Sequence, residues 1–254
     1  MTTQFTGRVA VVTGATGSIG RAVVGDLAQG GATVVAMGRD EAQLKDVLAT
    51  LPAGPPHRSV TAELTDAEGV QRAVDSIVDE FARIDIVVNN AGGWRGSAPG
   101  DFLGKTFEQL HGEAEGNLVS TVFLCRAVLP VMVERGGGRI VNVSSIAGLI
   151  ALPGHSAYSA AKLGLSGLSR QLGVEFGRSG VTVNCVAPGA VATPIAEQLL
   201  AQEHPMMVGM RDATPTGRLT MPSEIASLIS FLASDGAAQI NGETIAVDGG
   251  AAVA

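Results

Sequence analysis

The sequence has few cysteines and few charged residues for its length. The two cysteines, Cys125 and Cys185, stand in apolar surroundings without the spacing of a disulfide framework or a zinc site. We therefore expect buried, reduced thiols in a cytoplasmic protein. Charged residues make up 16% of the chain, the net charge is −7 and there is no basic block. This balance argues against nucleic acid and anionic membranes as partners.

The chain also shows no leader pattern and no run that we interpret as a membrane span. The first residues, MTTQFTGRVAVVTGATG, contain no charged segment followed by an apolar one, so we expect no signal peptide. We find no apolar run of the length that a bilayer requires. Hydrophobic residues make up 46% of the 254 positions, which predicts a substantial core, in one large domain or in two small ones.

Short apolar runs alternate with amphipathic stretches along the chain. RVAVVTG predicts a buried strand, and GSIGRAVVGDLAQGG predicts a helix with Ile19, Val23 and Leu27 on one face. Further strands are predicted in ATVVAMG, SVTAEL, DIVVNNAG and RIVNVSS, and the helix after SVTAEL should be capped by Thr65 or Asp66. The alternation, without repeats or linkers, predicts a single α/β domain over 1–254, doubly wound around a parallel sheet.

The only tyrosine, Tyr158, lies in the most chemically specific pattern of the sequence. Lys162 follows it by four residues, so both side chains should lie on one face of a helix with Ser156 as a plausible N-cap. Ser144 and Ser145 end the preceding strand, where parallel sheets carry their active sites. The usual phenol pKa of about 10 is too high for easy proton transfer, and an ammonium one turn away lowers it. The alternative is a half-buried tyrosine with a surface lysine behind it.

A glycine-rich turn, TGATGSIG, follows the first predicted strand. Glycines there allow a tight turn and a close approach of the backbone to a pyrophosphate, which would lie at the N-terminus of the next helix. The spacing differs from the GxGxxG fingerprint, and a plain turn without a ligand is the alternative.

These motifs occur in order with NNAG at 89–92, PGAVAT at 188–193 and a terminal NGETIAVDGG. Together they resemble the single-domain branch of the short-chain dehydrogenase/reductase family over nearly the whole chain. The resemblance implies a Rossmann domain whose seven-stranded parallel sheet has helices on both faces. It also implies a homotetramer that transfers hydride between NAD(P)(H) and a small carbonyl or secondary alcohol substrate.

The resemblance implies four catalytic residues. Tyr158 would be the general acid/base, and Lys162 would bind the nicotinamide ribose and lower the tyrosine pKa. Ser145, rather than its neighbour Ser144, would hold the substrate oxygen. Asn117 would hold a proton-relay water; its alternative is a polar side chain satisfied among helices.

The cofactor would contact the glycine turn, several strand ends and the 188–193 loop. By resemblance, the contacting residues are Gly14, Thr16, Gly17, Ser18, Ile19, Gly20, Gly38, Arg39, Glu63, Leu64, Asn90, Ala91, Gly92, Tyr158, Lys162, Pro188, Gly189, Val191 and Thr193. Two of them depart from the family pattern. Ser18 stands where the family has a glycine, and Glu63 stands where it usually has an aspartate near the adenine.

The end of the second predicted strand should decide between NAD and NADP. A carboxylate there favours NAD, but this chain has Gly38 and then Arg39, whose guanidinium can pair with a 2′-phosphate. Thr16 could add a hydroxyl contact. Asp40 could neutralise Arg39 or cap the next helix, and Arg39 could be a solvated loop residue. We predict NADP as the preferred cofactor, with NAD as the alternative.

Residues 193–221 lie where the family has its substrate lid. Their methionines suit an irregular apolar surface, and the alternative is a plain amphipathic helix. Trp94 and His155 are expected near the cleft, although a lone histidine beside a glycine is more often a loop residue.

Two other functions remain open. A 3-oxoacyl-carrier-protein reductase would need basic residues to dock its acidic carrier, and Arg135 and Arg178 are candidates, although the acidity of the chain counts against it. A cofactor-binding regulator without turnover would be expected to have lost Tyr158 or Lys162, and both are present.

Overall fold

The computed structural model describes residues 3–93 and 99–254, and within them seven parallel strands form one sheet. The strands are β1 (Val9–Thr13), β2 (Thr33–Gly38), β3 (Arg58–Thr61), β4 (Ile86–Asn89), β5 (Gly138–Val143), β6 (Val181–Pro188) and β7 (Thr244–Val247). Their order is β3-β2-β1-β4-β5-β6-β7. This confirms the predicted fold class. The order reverses at β1, so a crevice opens at the carboxyl ends of β1 and β4.

Helices cover both faces of the sheet. They are α1 (Ser18–Gln29), α2 (Glu41–Ala49), α3 (Ala67–Phe81), α4 (Phe107–Ala114), α5 (Ser120–Glu134), α6 (Ser156–Phe176), α7 (Pro194–Ala201), α8 (Pro205–Asp212) and α9 (Pro222–Ala233). Helices α1, α2 and α9 pack into one hydrophobic core, and α3, α5 and α6 pack into the other. The sheet thus has a layer of helices on each side, as predicted.

The side chains of β1 show why its sequence is apolar throughout. Ala10 and Val12 face the core of α1, α2 and α9, while Val9 and Val11 face the core of α3, α5 and α6. A strand that is covered on both faces requires apolar residues at successive positions rather than at alternate ones. The run RVAVVTG therefore encodes both the strand and its central place in the sheet.

Two predicted helix starts are resolved by the structure. Asp66 caps α3 by accepting a hydrogen bond from the Glu68 amide, so of the two candidates it is the N-cap. Helix α6 begins at Ser156 itself, and His155 is the preceding N-cap residue. The expectation that Ser156 caps this helix was therefore wrong by one position, although the helix does carry both Tyr158 and Lys162.

One helical stretch corrects the expectation about apolar runs. Phe107–Glu134 is, by length and composition, long and apolar enough to cross a membrane. More than half of the tested window is buried, and Leu124, Val128 and Met132 pack against the sheet. Core helices pass the same test, so its position against the sheet accounts for its composition.

The segment 193–221 forms two short helices, α7 and α8, rather than a single amphipathic helix. Ala196, Met207 and Leu219 form a small core of their own within it. Its two ends are joined because the Ala192 amide donates to the Thr220 carbonyl at 2.9 Å. We call residues 193–221 the lid segment from here on.

Candidate active site

Ser144 and Ser145 both follow β5, but their side chains have different surroundings. The Ser144 hydroxyl is buried and donates to the Lys162 carbonyl at 2.7 Å. The Ser145 hydroxyl accepts from the Ala147 amide at 3.1 Å and hydrogen-bonds to Tyr158. Only Ser145 of the two lines the cavity that contains Tyr158. Ser144 is therefore placed to hold α6 against the sheet, and Ser145 to meet a ligand.

Tyr158 and Lys162 lie side by side on α6, as their spacing predicts. The Lys162 ammonium is 5.6 Å from the centre of the Tyr158 ring and donates to the Val143 carbonyl at 2.9 Å. Burial raises the pKa of Tyr158, against the opposing effect of the Ser145 hydrogen bond. Burial also lowers the pKa of Lys162 to about 8.

These shifts differ from the expectation that Lys162 lowers the pKa of the tyrosine. The ammonium lies over the face of the ring and is held at a backbone carbonyl, while removal from water acts directly on the phenol. The pKa of Tyr158 thus lies above its usual value, because removal of the phenol from water favours its neutral form.

Asn117 lies in a π-helical segment, Glu115–Val119, between α4 and α5. Its side chain is fully buried and exchanges two 2.8 Å hydrogen bonds with the backbone of Gly93, while its amide also donates to the Glu113 carbonyl. The amide is thus satisfied inside the helices, which was the alternative to a water-holding role. It fixes the backbone after β4, and π-helical turns often mark functional sites.

Gly92 brings this backbone close to the catalytic candidates. A side chain there would place its first carbon 2.6 Å from Oδ1 of Asn117 and 3.3 Å from Nζ of Lys162. The residue also has a positive φ of 155°. A glycine is therefore required for the end of β4 to meet Asn117 and Lys162 in one place.

A cavity of about 550 Å³ lies over the carboxyl ends of β1, β2 and β4. Most of the predicted cofactor residues line it: Gly14, Thr16, Gly17, Ser18, Ile19, Gly38, Arg39, Glu63, Leu64, Asn90, Ala91, Gly92, Val191 and Thr193. Ala62 and Gly93 line it too and were not predicted, although each adjoins a predicted residue.

Five predicted cofactor residues do not line this cavity. Tyr158 and Gly189 line a neighbouring cavity instead, whereas Gly20, Lys162 and Pro188 line neither. Gly20 serves the packing of α1, because a side-chain carbon there would lie 2.1 Å from the Gly14 carbonyl oxygen. Pro188 is buried at the end of β6, where it positions the loop that follows.

The glycine turn leaves the N-terminus of α1 open to the cavity. Gly17 is the N-cap and supplies no side-chain cap, and the following Ser18 and Ile19 line the cavity. The turn is close-packed, since a side-chain carbon on Gly14 would lie 2.9 Å from Cα of Ala91. Open amides and the helix dipole suit an anion. These residues therefore fit a dinucleotide pyrophosphate, with Ser18 as the first residue of the helix.

At the far end of this cavity, Arg39 follows β2. Asp40 accepts hydrogen bonds from the Gln43 amide at 3.1 Å and from the Gln43 side chain at 2.8 Å. Asp40 is therefore the cap of α2, one of the two roles considered for it, while Arg39 lines the cavity beside Gly38. The Glu63 carboxylate accepts from the Thr65 hydroxyl at 3.1 Å, which fixes its position in the wall of the cavity, where the adenine contact was predicted.

A second cavity, of about 500 Å³, lies beneath the lid segment. It shares Val191 and Thr193 with the first cavity and contains the side chains of Ser145 and Tyr158. A molecule in this cavity would therefore meet the phenol on one side and the first cavity on the other. His155 lines it as well, with its ring 6.2 Å from that of Tyr158, whereas Trp94 lies outside the described residues.

Arg135 and Arg178 lie at the edge of the sheet opposite these cavities. Arg135 lies three residues before β5 and donates to the Ala82 carbonyl, and Arg178 lies three residues before β6. Because β6 has eight residues and each residue spans about 3.3 Å, about 25 Å separates that edge from the active-site edge. Both arginines therefore lie toward the amino ends of the strands and line neither cavity.

Within the described part of the chain, no group of three or more metal-ligating side chains comes together. Both cysteines are buried and unpaired, as the sequence predicted.

Comparison with known proteins identifies relatives that match nearly the whole chain. A family model described as Enoyl-(Acyl carrier protein) reductase matches residues 14–252. The chain is 40% identical over 249 residues to a D-threitol dehydrogenase of Mycolicibacterium smegmatis, covering 97% of this chain and 94% of that protein. It is 36% identical over 244 residues to the 3-oxoacyl-[acyl-carrier-protein] reductase FabG of Haemophilus influenzae, covering 96% and 98%. A crystal structure of an actinorhodin polyketide ketoreductase with NADPH superposes with a TM-score of 0.89 at 31% identity, covering both chains completely.

Proposed function

The chain belongs to the short-chain dehydrogenase/reductase family of oxidoreductases, and we propose that it interconverts a carbonyl compound and a secondary alcohol with a nicotinamide cofactor. The observation that carries the proposal is the position of Tyr158 and Ser145. Both line the cavity beneath the lid segment, which shares Val191 and Thr193 with the cavity over β1, β2 and β4.

In the direction of reduction, a bound nicotinamide cofactor would supply the hydride that the carbonyl carbon accepts. The Ser145 hydroxyl hydrogen-bonds the carbonyl oxygen, and Tyr158 transfers its proton to that oxygen as negative charge develops there. The raised pKa of Tyr158 keeps this proton in place at neutral pH. Lys162, held 5.6 Å from the ring centre, stabilises the phenolate that remains. In the reverse direction Tyr158 accepts the alcohol proton.

In this scheme Asn117 positions the backbone after β4 and does not take part in the proton transfer. Its side chain holds the Gly93 backbone, and a side chain on the adjoining Gly92 would approach Lys162. The water-holding role that the family suggests for Asn117 would have to use its backbone, since its side chain is engaged with Gly93 and Glu113.

We propose NADP as the preferred cofactor and NAD as the weaker one. Gly38 ends β2 without a carboxylate, Arg39 lines the cavity, and Asp40 is committed to capping α2. A guanidinium in that position favours a 2′-phosphate, because charge-assisted pairs with phosphate are strong.

We also propose a cytoplasmic homotetramer. Two buried thiols suit a reducing compartment. Apolar side chains remain exposed on α4 and α6, with Phe107 92% exposed, Leu163 57% exposed and Val174 77% exposed. A second subunit would remove this apolar surface from water.

A 3-oxoacyl-carrier-protein reductase is the second candidate function, and the relative from Haemophilus influenzae supports it. The acidity of the chain, with a net charge of −7, weighs against the docking of an acidic carrier. A regulator without turnover is less well supported, because Tyr158, Lys162 and Ser145 are assembled together.

A panel of ketones, secondary alcohols and 3-oxoacyl thioesters, assayed with NADPH and NADH, separates these functions. We expect cofactor-dependent turnover of ketones and alcohols, with NADPH preferred. Turnover of the carrier-bound thioester far above that of free ketones would favour the second candidate. Cofactor binding with no turnover of any member would favour the regulator.

A further inference from the structure

We propose that the enzyme selects carbonyl compounds whose remaining surface is apolar, such as medium-chain or cyclic ketones, and discriminates against polyols and hydroxyl-rich ketoses. The proposal rests on the proposed function and names its substrate class. It departs from what the name of the Mycolicibacterium smegmatis relative suggests, since threitol carries a hydroxyl on each carbon.

Apolar side chains from two parts of the chain form the wall of the second cavity, the one beneath the lid segment. One part follows β5 and the other is the lid segment. The wall residues that matter here are Ile150, Leu152, Leu199, Met206, Met207 and Met210. Pockets that bind small molecules combine such walls with a few placed polar groups.

The polar side chains of this cavity each make a hydrogen bond within the protein. Thr193 accepts from the Ala196 amide at 3.2 Å, and Thr214 donates to the Met210 carbonyl at 2.9 Å. Nδ1 of His155 lies 2.9 Å from the Pro153 carbonyl oxygen. Ser145 and Tyr158 are bonded to each other at the position of the reacting oxygen. One carbonyl oxygen is therefore provided for, whereas additional hydroxyls would face apolar walls.

The mouth of the cavity has the same character. Ile195 is 70% exposed and Met206 is 45% exposed, and both line the cavity. The charged residue Glu197, two positions after Ile195 in α7, is exposed and is not among the lining residues. An entering ligand therefore meets methionine and isoleucine first. Methionine adapts to irregular apolar shapes, so this rim suits apolar ligands of varied shape.

The size of the discrimination follows from the chemistry of apolar pockets. A hydroxyl placed against such a wall loses its water partners without replacement. An apolar site rejects an analogue with one added hydroxyl by up to about 100-fold. Each added methylene on the ketone should raise kcat/KM severalfold until the cavity is filled, since burial of one contributes a factor of about 4.

The test compares a straight-chain methyl ketone with the same ketone carrying a hydroxyl on its far terminal carbon. The distant hydroxyl leaves the reactivity of the carbonyl unchanged, so the comparison isolates the pocket. We expect the hydroxyl to lower kcat/KM by about 10- to 100-fold, mainly through KM. Equal values, or a preference for the hydroxylated ketone or for a ketotetrose, would overturn the proposal.

A pair of variants locates the effect. Met210→Gln keeps a similar shape and adds hydrogen-bonding groups to the wall. It should therefore bring the kcat/KM values of the two ketones closer together. Met221→Gln is the matched control, since Met221 is 42% exposed and is not a lining residue. It should leave the ratio at the wild-type value. A change of the same size in both variants would contradict the assigned wall.

Binding of the two ketones by ligand-observed NMR, with oxidised cofactor present and no turnover, separates this inference from the proposed function. If neither ketone is reduced but the unmodified one binds more tightly, the catalytic proposal fails and the pocket assignment stands. If both are reduced and bind equally well, the catalytic proposal stands and the inference fails.

Discussion

Replacing Lys162 by methionine should stabilise the protein in the absence of cofactor while abolishing its activity. The side chain is only 4% exposed, and burial lowers the pKa of its ammonium from 10.5 to about 8. That gap corresponds to about 3 kcal/mol of unfavourable charge burial at neutral pH. Methionine retains most of the volume and removes the charge. The lost hydrogen bond to the Val143 carbonyl offsets about 1 kcal/mol of the gain.

The net gain of about 2 kcal/mol has a characteristic pH dependence. Below pH 8 both the folded and the unfolded chain carry the proton, so wild type bears the full cost of burying the ammonium. Between pH 8 and 10.5 the folded chain loses the proton and the unfolded chain keeps it, so the cost falls as pH rises. The advantage of Lys162→Met should therefore be largest below pH 8 and largely gone near pH 10.5.

Urea unfolding at pH 7 and pH 10, with wild type as reference, measures this effect directly. At pH 7 the melting temperature of the variant should also rise by about 4–8 °C. Lys45→Met is the matched control, because Lys45 is exposed and pairs only at the surface with Glu41; its stability should stay within about 0.5 kcal/mol of wild type. A Lys162→Met protein that is less stable than wild type at pH 7, beside an unchanged Lys45→Met, would refute the reasoning.

Three further predictions concern the serines, the cofactor and the assembly. Ser145→Ala should lower kcat by about 10²–10³-fold, as loss of an oxyanion donor does, whereas Ser144→Ala should mainly lower the melting temperature; the reverse ranking in steady-state kinetics would mean that the roles are exchanged. Arg39→Ala should reduce the NADPH/NADH ratio of kcat/KM by about tenfold, or about 1.4 kcal/mol. Arg211 is a surface residue paired with Asp212, so Arg211→Ala should leave that ratio unchanged. The same ratio in both variants would contradict the placement of Arg39 in the cofactor site. Light scattering should give a tetramer at micromolar concentration, and a monomer would contradict the proposed assembly.

Much of the fold and most of the site could be predicted because they are encoded locally. The apolar run of β1 and the glycines after it determine a buried strand and an open helix N-terminus without reference to distant residues. The four-residue spacing of Tyr158 and Lys162 likewise fixes their shared face. The position of Arg135 could also have been recognised, since it precedes the predicted strand RIVNVSS and so lies toward its amino end.

The remaining features depend on contacts between distant parts of the chain. The pKa directions of Tyr158 and Lys162 are set by burial against β5 and its neighbours, so a four-residue spacing could not supply them. The partners of Asn117 come from the segment after β4. The division of the lid segment into two helices did have a local signal, because Pro194 and Pro205 each stand at the first position of a helix.

The central claim is that Tyr158 supplies the proton in a hydride-transfer reaction. It is tested most directly by kcat of Tyr158→Phe with the best ketone of the panel, together with the cofactor Kd of the same variant. Phenylalanine keeps the ring and removes the transferable proton, so kcat should fall by about 10²–10⁴-fold while the cofactor Kd stays near the wild-type value. A kcat close to that of wild type would contradict the assignment of Tyr158 as the general acid/base.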